Sequence, residues 1–307
     1  MKHRLTMPAV RRGAVAFAAA SLALAGTMSL AGATSAPRTA PTATYDAAAA
    51  KLVPAAIVSQ SKSGGLVEAF DATYPPDEML ASNNTTIIGF DAQLGKALAT
   101  TLGLKFKPEN ITFDDIITGI LDGRIAIGNS SFTDTKAREK QVNFVDYFQA
   151  GEAFYVGHSS SLKLNGLSSL CGHTVSVEIG TTEQSDAQTQ APKCSSSKKL
   201  TVDSFATQAE ANLAVSSGRA QIGFADSQVA GYIVAQSKGA FKLDGKAIEV
   251  APYGIAVSKA PADKGFDVAL EAAMNELMKN GVYTSILDSF GVQAGALKAA
   301  GINQAIS

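Results

Sequence analysis

The chain has 307 residues, 46% of them hydrophobic, with 26 basic against 27 acidic side chains and two cysteines. That length allows one large or two ordinary domains, each with a substantial core. The near-zero net charge creates no overall field for nucleic acid or anionic membrane, which excludes a nucleic-acid-binding class.

Lys2, Arg4, Arg11 and Arg12 precede an uncharged, apolar run over 13–33, and the next charge is Arg38. A basic head, an apolar middle and the small triplet Ala31-Gly32-Ala33 predict a secretory signal peptide over 1–33. The alternative is an uncleaved anchor, since about 20 apolar residues can span a bilayer. The prevalence of Ala, Gly and Ser favours cleavage, and Arg11-Arg12 leaves a twin-arginine route open. The first cysteine is Cys171, so no cysteine follows the apolar segment to carry a lipid. Export to an oxidising compartment predicts that Cys171 and Cys194 pair. Such a bridge closes a loop of about two dozen residues and contributes ~3 kcal/mol; two buried free thiols are the alternative.

Residues 34–63 are rich in Ala, Pro, Thr and Ser and read as a tether with a short helix over 47–52. Next come a strand over 66–70, a turn set by Pro75-Pro76 and a helix over 91–102 with Asp91 as N-cap and Gly103 as its end. A strand over 104–106, a helix over 113–121 and a strand over 125–127 follow. Past that strand lie Ser130, Ser131, Thr133, Thr135 and Arg138. An arginine just beyond a strand end can hold a carboxylate by two parallel N–H···O bonds. A strand over 174–179 opens onto Gly180-Thr181-Thr182-Glu183, a helix start whose free N–H groups suit an anion. Residues 247–251 and 253–257 read as extended, and 263–280 and 283–290 as helices. The alternation of strands and helices predicts an α/β fold with a largely parallel sheet.

One internal echo adds to this. The stretch 120–128, ILDGRIAIG, resembles 215–223, VSSGRAQIG. Both read as a helix ended by glycine and a short strand ended by glycine, which predicts two lobes of similar build with a cleft between them. No GxxxxGK[ST], GxGxxG, GxSxG or HExxH pattern is present, and His158 and His173 lack metal-ligand spacing to each other or to the cysteines. No metal and no cofactor is expected.

Taken in order, Tyr74-Pro75-Pro76, Gly89-Phe90-Asp91, Phe113, Thr133 and Thr135 to Arg138, Val142-Asn143-Phe144, Gly180-Thr181-Thr182, Asp226 and Tyr253-Gly254-Ile255 form a pattern. It resembles the extracellular amino-acid-binding proteins of bacterial ABC importers, solute-binding family 3, over roughly residues 64–292. The resemblance implies a two-lobed periplasmic-binding-protein-like fold of type II with two hinge crossings, near 148–152 and 251–255. Lobe 1 would comprise 64–150 plus 253–307, and lobe 2 residues 151–252.

The resemblance also implies roles. Arg138 clamps the ligand α-carboxylate with Thr133 and Thr182, while Asp226 takes the α-ammonium with help from the Ser131 carbonyl. Tyr74 and Phe113 sandwich the ligand side chain, and Asp71 and Glu178 read it. Thr181 belongs to the same helix opening. Simpler roles stay open: Arg138 as a surface ion-pair partner, Asp226 as a helix N-cap, Tyr74 and Phe113 as core aromatics, Asp71 as a turn former and Glu178 on a solvated strand edge. Ser131 replaces a glycine common in the family, Lys136 a proline and Asn143 an aspartate. Asp71, Glu78 and Glu178 together predict an acidic pocket that favours a cationic amino acid, with a neutral polar one such as glutamine next. The expected partners are a free amino acid and a membrane permease, the expected state a monomer, and the expected place outside the cytoplasmic membrane without a lipid anchor. A secreted dehydratase-like enzyme using Glu178 or Glu183, or a receptor ectodomain, are the alternatives.

Overall fold

The computed structural model describes residues 40–306; the predicted signal peptide lies outside them. Residues 47–63, read from composition as mostly tether, form two helices, α1 (Ala47–Lys51) and α2 (Ala55–Ser63). Asp46 caps α1, accepting from the N–H groups of Ala48 and Ala49. Ala49, Val53 and Ile57 are buried in the main core, so the segment is part of the fold.

The first lobe is built around β1 (Leu66–Phe70), which belongs to a mainly parallel sheet. Its neighbours are β5 (Phe106–Asn110) and β6 (Ile127–Gly128), both parallel to it. A strand paired on both sides and covered on both faces is apolar nearly throughout, as Leu66, Ala69 and Phe70 are. Between β1 and β5 lie a small sheet of β2 (Thr73–Tyr74), β3 (Glu78–Leu80) and β4 (Ile87–Ile88), then α3 (Phe90–Leu102). Phe90, Leu94, Leu98 and Leu102 repeat every four residues and are all buried. Gly103 ends the helix at φ +66°, a left-handed conformation. The N-cap lies two residues earlier than expected, at Gly89, and Asp91 lies buried inside the first turn. The strand expected at 104–106 starts at Phe106, because the Leu104 N–H still bonds Ala99 O at the helix end. α4 (Phe113–Leu121) leads to β6.

The second lobe repeats the scheme. β8 (Thr174–Glu178), β9 (Thr201–Phe205) and β10 (Ile222–Asp226) are parallel, joined through α5 (Thr182–Gln190) and α6 (Gln208–Ser216), with α7 (Ser227–Gln236) after them. The sequence echo is a shared corner. Gly123 and Gly218 adopt φ +79° and +75°. Just beyond them the Ile125 N–H reaches Gly119 O at 2.9 Å and the Ala220 N–H reaches Ala214 O at 3.0 Å. Glycine is favoured at both corners because the chain turns there in the left-handed region.

Two long strands cross between the lobes, β7 (Asn143–Gly157) and β12 (Ile248–Val257). β7 pairs antiparallel with β12 along its first part and with β10 along its last, so one sheet runs β5-β1-β6-β12-β7-β10-β8-β9. The ladder between the crossings shifts register between Ile248 and Ala251 and again between Tyr253 and Gly254. A short β11 (Phe241–Leu243) also pairs with β7. α8 (Phe266–Lys279) and α9 (Val282–Phe290) close the first lobe's core, and β13 (Ala296–Ile302) adds to β7. Cys171 and Cys194 form a disulfide that ties the segment before β8 to the turn after α5, with Cα atoms 5.4 Å apart.

Candidate functional site

The turn after β6 is fastened to the crossing strand β12: the Gly254 N–H donates to Phe132 O and the Asp134 N–H to Pro252 O, both at 2.8 Å. Ser131 sits in this turn at φ +48°. That conformation costs a non-glycine residue. Asp91 holds Ser131 there, accepting from its N–H at 3.0 Å and lying 3.1 Å from its hydroxyl, while Asp77 is 2.7 Å from the same hydroxyl. The Ser131 side chain therefore faces a buried carboxylate cluster, not the cleft.

Arg138 follows on a short 3-10 turn (Arg138–Lys140). Its Nη1 donates to Thr133 O at 2.7 Å and its Nη2 to Gly180 O at 2.8 Å, across the cleft. The guanidinium lies 5.4 Å from the centres of both the Phe113 and Phe132 rings. Burial lowers its pKa while Glu183 and Asp226 push it back up, and an arginine stays charged under either influence. On the facing lobe the Thr181 hydroxyl is spent on structure: it accepts from Gln184 N–H as the N-cap of α5 and donates to Glu178 O. The Thr182 hydroxyl points across the cleft to Thr133, 3.5 Å away.

Asp71 accepts from the Thr73 hydroxyl at 2.7 Å and from the Phe113 N–H at 3.0 Å, at the start of α4. Opposite it Glu178 is fully buried, and neither of its oxygens has a hydrogen-bond partner. Burial first, then the Asp71 charge, push Glu178 up to about 10. Tyr74 and Phe113 stand beside this pair with ring centres 5.9 Å apart, and Phe132 stacks on Phe113 at 4.3 Å. Asp226 is the N-cap residue of α7 but makes no side-chain cap bond. Its pKa rises to about 8, chiefly through burial, with Asp77 and Glu152 adding to it and Tyr253 and Arg138 opposing. Glu183 is also raised, by burial and by Asp226, and its Oε1 is unpartnered. Among the described residues the ion pairs are all elsewhere: Lys107–Glu109, Arg124–Asp122, Lys136–Glu139, Arg219–Asp203 and Lys279–Glu276.

A cavity of about 590 Å³ is lined by Thr133, Arg138, Thr181 and Thr182 from the expected set. Asp71, Tyr74, Phe113, Ser131, Glu178 and Asp226 lie outside that lining, each at most 7% exposed. The lobes are closed on one another. Gly180, at φ +83°, sits so close to Asp114 that a Cβ there would lie 3.0 Å from the Asp114 Cβ. Glu78, expected to acidify the pocket, is instead buried beneath it, accepting from the Ser130 hydroxyl beside Asp77 and Asp91. The sequence reading missed Phe132, Glu152 and Gln228. The Gln228 Nε2 donates to both Asp77 Oδ2 and the Tyr253 hydroxyl at 2.7 Å, tying the second lobe to the first. Phe132 was findable, lying between two expected site residues; the other two need the fold to bring them in.

The profile of the bacterial extracellular solute-binding proteins, family 3, matches residues 66–293. This chain belongs to that family. Its function is therefore solute binding. The family 3 chain is 30% identical over 256 residues to the arginine-binding protein ArgT of Corynebacterium glutamicum, covering 82% of each. Two solved structures of an ancestral arginine-binding protein, one bound to arginine and one to glutamine, match with TM-score 0.68 and 31% identity, covering 74% and 75% of this chain and 98% of theirs. The ancestral amino-acid-binding protein AncCDT-1, described as a precursor of cyclohexadienyl dehydratase, matches with TM-score 0.66 and 30% identity over 75% of this chain and 96% of its own.

Proposed function

We propose that this family 3 protein captures a cationic L-amino acid, arginine first, and delivers it to the permease of an ABC importer. One observation carries the choice of ligand class: Asp71 and Glu178 face each other from opposite lobes, buried beside Tyr74 and Phe113, with no cation paired to either. Two buried carboxyls at such close quarters repel unless protonated or bridged by a cation. A guanidinium lying between aromatic faces meets both needs at once. Arg138, Thr133 and Thr182 are assigned the α-carboxylate, and Asp226 the α-ammonium, with the Ser131 carbonyl in support. Thr181 supports by holding the helix start that Thr182 belongs to. The names of ArgT and of the ancestral arginine-binding protein support the same class.

Residues 64–150 with 253–307 are assigned to lobe 1 and 151–252 to lobe 2, moving about the two crossing strands. The protein is read as exported, not lipid-anchored, monomeric and without catalytic activity; its relatives are named for binding. A thermal-unfolding screen against the twenty amino acids and ornithine tests this. A ligand at about 100 times its dissociation constant adds ~2.7 kcal/mol of stability. An upward shift with arginine, lysine or ornithine that is lost in Arg138→Ala supports the reading; shifts confined to neutral or acidic amino acids overturn it.

A further inference from the structure

The 590 Å³ cavity beside Arg138 carries a second set of acids that no role above uses. Glu152 on β7, Asp186 on α5 and Glu249 on β12 all line it, opposite Thr133 and Arg138. They come from three separate elements of the second lobe's side and grade outward. Glu152 is 3% exposed with its Oε2 unpartnered, Asp186 is half-buried and Glu249 exposed. Glu249 is brought there by the register shift between Ile248 and Ala251, and its φ of +46° marks the bulge. A bulge of this kind re-aims a side chain. Burial and then the neighbouring Glu183 and Asp186 raise the Glu152 pKa to about 10. Arg138 is the one basic residue in the lining, and two of its five N–H donors are directed at Thr133 O and Gly180 O. Among the described residues no group of acids, histidines or cysteines has the geometry for a metal ion. A larger, less directional organic cation suits the wall.

We infer that Glu152, Asp186 and Glu249 form an outer cation subsite, which holds the side-chain guanidinium or ammonium group of the ligand as it passes between solvent and the inner pocket of Asp71 and Glu178. This rests on the reading of the inner site as a pocket for cationic amino acids. An acidic wall at the mouth of a cleft concentrates cations and speeds their entry, an effect that salt screens. It also supplies a partner for the charge while water is being stripped from it, before the inner carboxyls are reached.

Stopped-flow binding of L-arginine and L-glutamine to the mature protein tests the inference, in wild type and in Asp186→Asn with Glu249→Gln, at low and high salt. Both substituted residues have solvent access, so the fold is spared, and an unchanged melting temperature checks this. The expected result is arginine association slowed about ten-fold at low salt, a difference that shrinks at high salt, with dissociation nearly constant and glutamine association unaffected. Glu249→Lys slows arginine entry further. Unchanged arginine association, an equal loss for glutamine, or an effect confined to dissociation overturns the outer subsite while leaving the inner pocket standing. A wild-type protein that shows no arginine association at all overturns both, and is told apart by that missing phase.

Discussion

The two ends of the closed cleft are built in opposite ways. At one end Arg138, Thr133 and Thr182 are held by backbone carbonyls, a neighbouring strand and a helix start, with two of the five arginine N–H donors bonded to those carbonyls. At the other end Glu178 is buried with both oxygens unpartnered, facing Asp71 and Tyr74. On the proposed reading the first end takes what every amino acid has in common. The second holds a carboxyl that burial keeps protonated, and on the proposed reading a cationic ligand is what lets it ionise. On that reading general affinity and discrimination are separated in space, and each can be broken without the other.

Removing the shared end has the largest effect. Arg138→Ala is expected to weaken every amino acid ligand by about 2–5 kcal/mol, since a charge-assisted pair loses one partner; isothermal titration calorimetry with a panel of ligands measures it. A loss confined to cationic ligands would erase the distinction between the two ends. Glu178→Gln comes next. It is expected to weaken arginine by about 1–3 kcal/mol and glutamine far less, and an equal loss for both ends the discriminating role.

The same carboxyl gives a pH signature with a definite sign. In the closed protein Glu178 keeps its proton up to about pH 10, against an ordinary 4.5. The folded form therefore binds more protons than the unfolded one between those values, and its contribution to stability is lost as pH rises through that window. Melting temperatures of the unliganded protein should fall with rising pH more steeply in wild type than in Glu178→Gln. Arginine affinity should run the other way, rising with pH by up to about ten-fold per unit for each proton displaced. The smallest effect expected is from Gly180→Ala. Left-handed backbone costs an alanine ~1 kcal/mol, and the methyl would press on Asp114, so affinity for all ligands drops several-fold with no change in their ranking.

Much of the fold was legible because it is written locally. The helix over Phe113–Leu121 and the strand over Leu66–Phe70 follow from apolar spacing and bounding turn residues. The repeated glycine corner was visible as a nine-residue echo whose hydrogen bonds prove equivalent. The placement of Arg138 and Thr182, the residues proposed for the shared end, was legible too, since both stand where the chain turns beyond a strand. What escaped is non-local. Asp91 looks like a cap by position, yet its carboxylate is taken by Ser131 and by Tyr147, 56 residues away. Glu78 has the composition of a pocket acid but is drawn beneath the floor by Ser130. Glu152 reads as one polar residue in a long strand, and only the pairing of that strand sets it opposite Asp226. Residues 47–63 looked like a linker because alanine-rich helices and tethers share a composition, and packing against the core decides between them.

The terminal strand β13 has a mechanical consequence. It pairs with β7 at Val145, Asp146 and Phe148, while β10 takes hold of the same strand from Glu152 onward. Only residues 149–151 lie between these two splints. Across these three residues β7 is paired by β12 alone, so on this strand they are where a swing of one lobe against the other would be taken up. If ligand closes the lobes as proposed, a pair of dyes, one near residue 298 on the terminal strand and one on α6, would convert ligand occupancy into a single distance, the working principle of an optical amino-acid sensor.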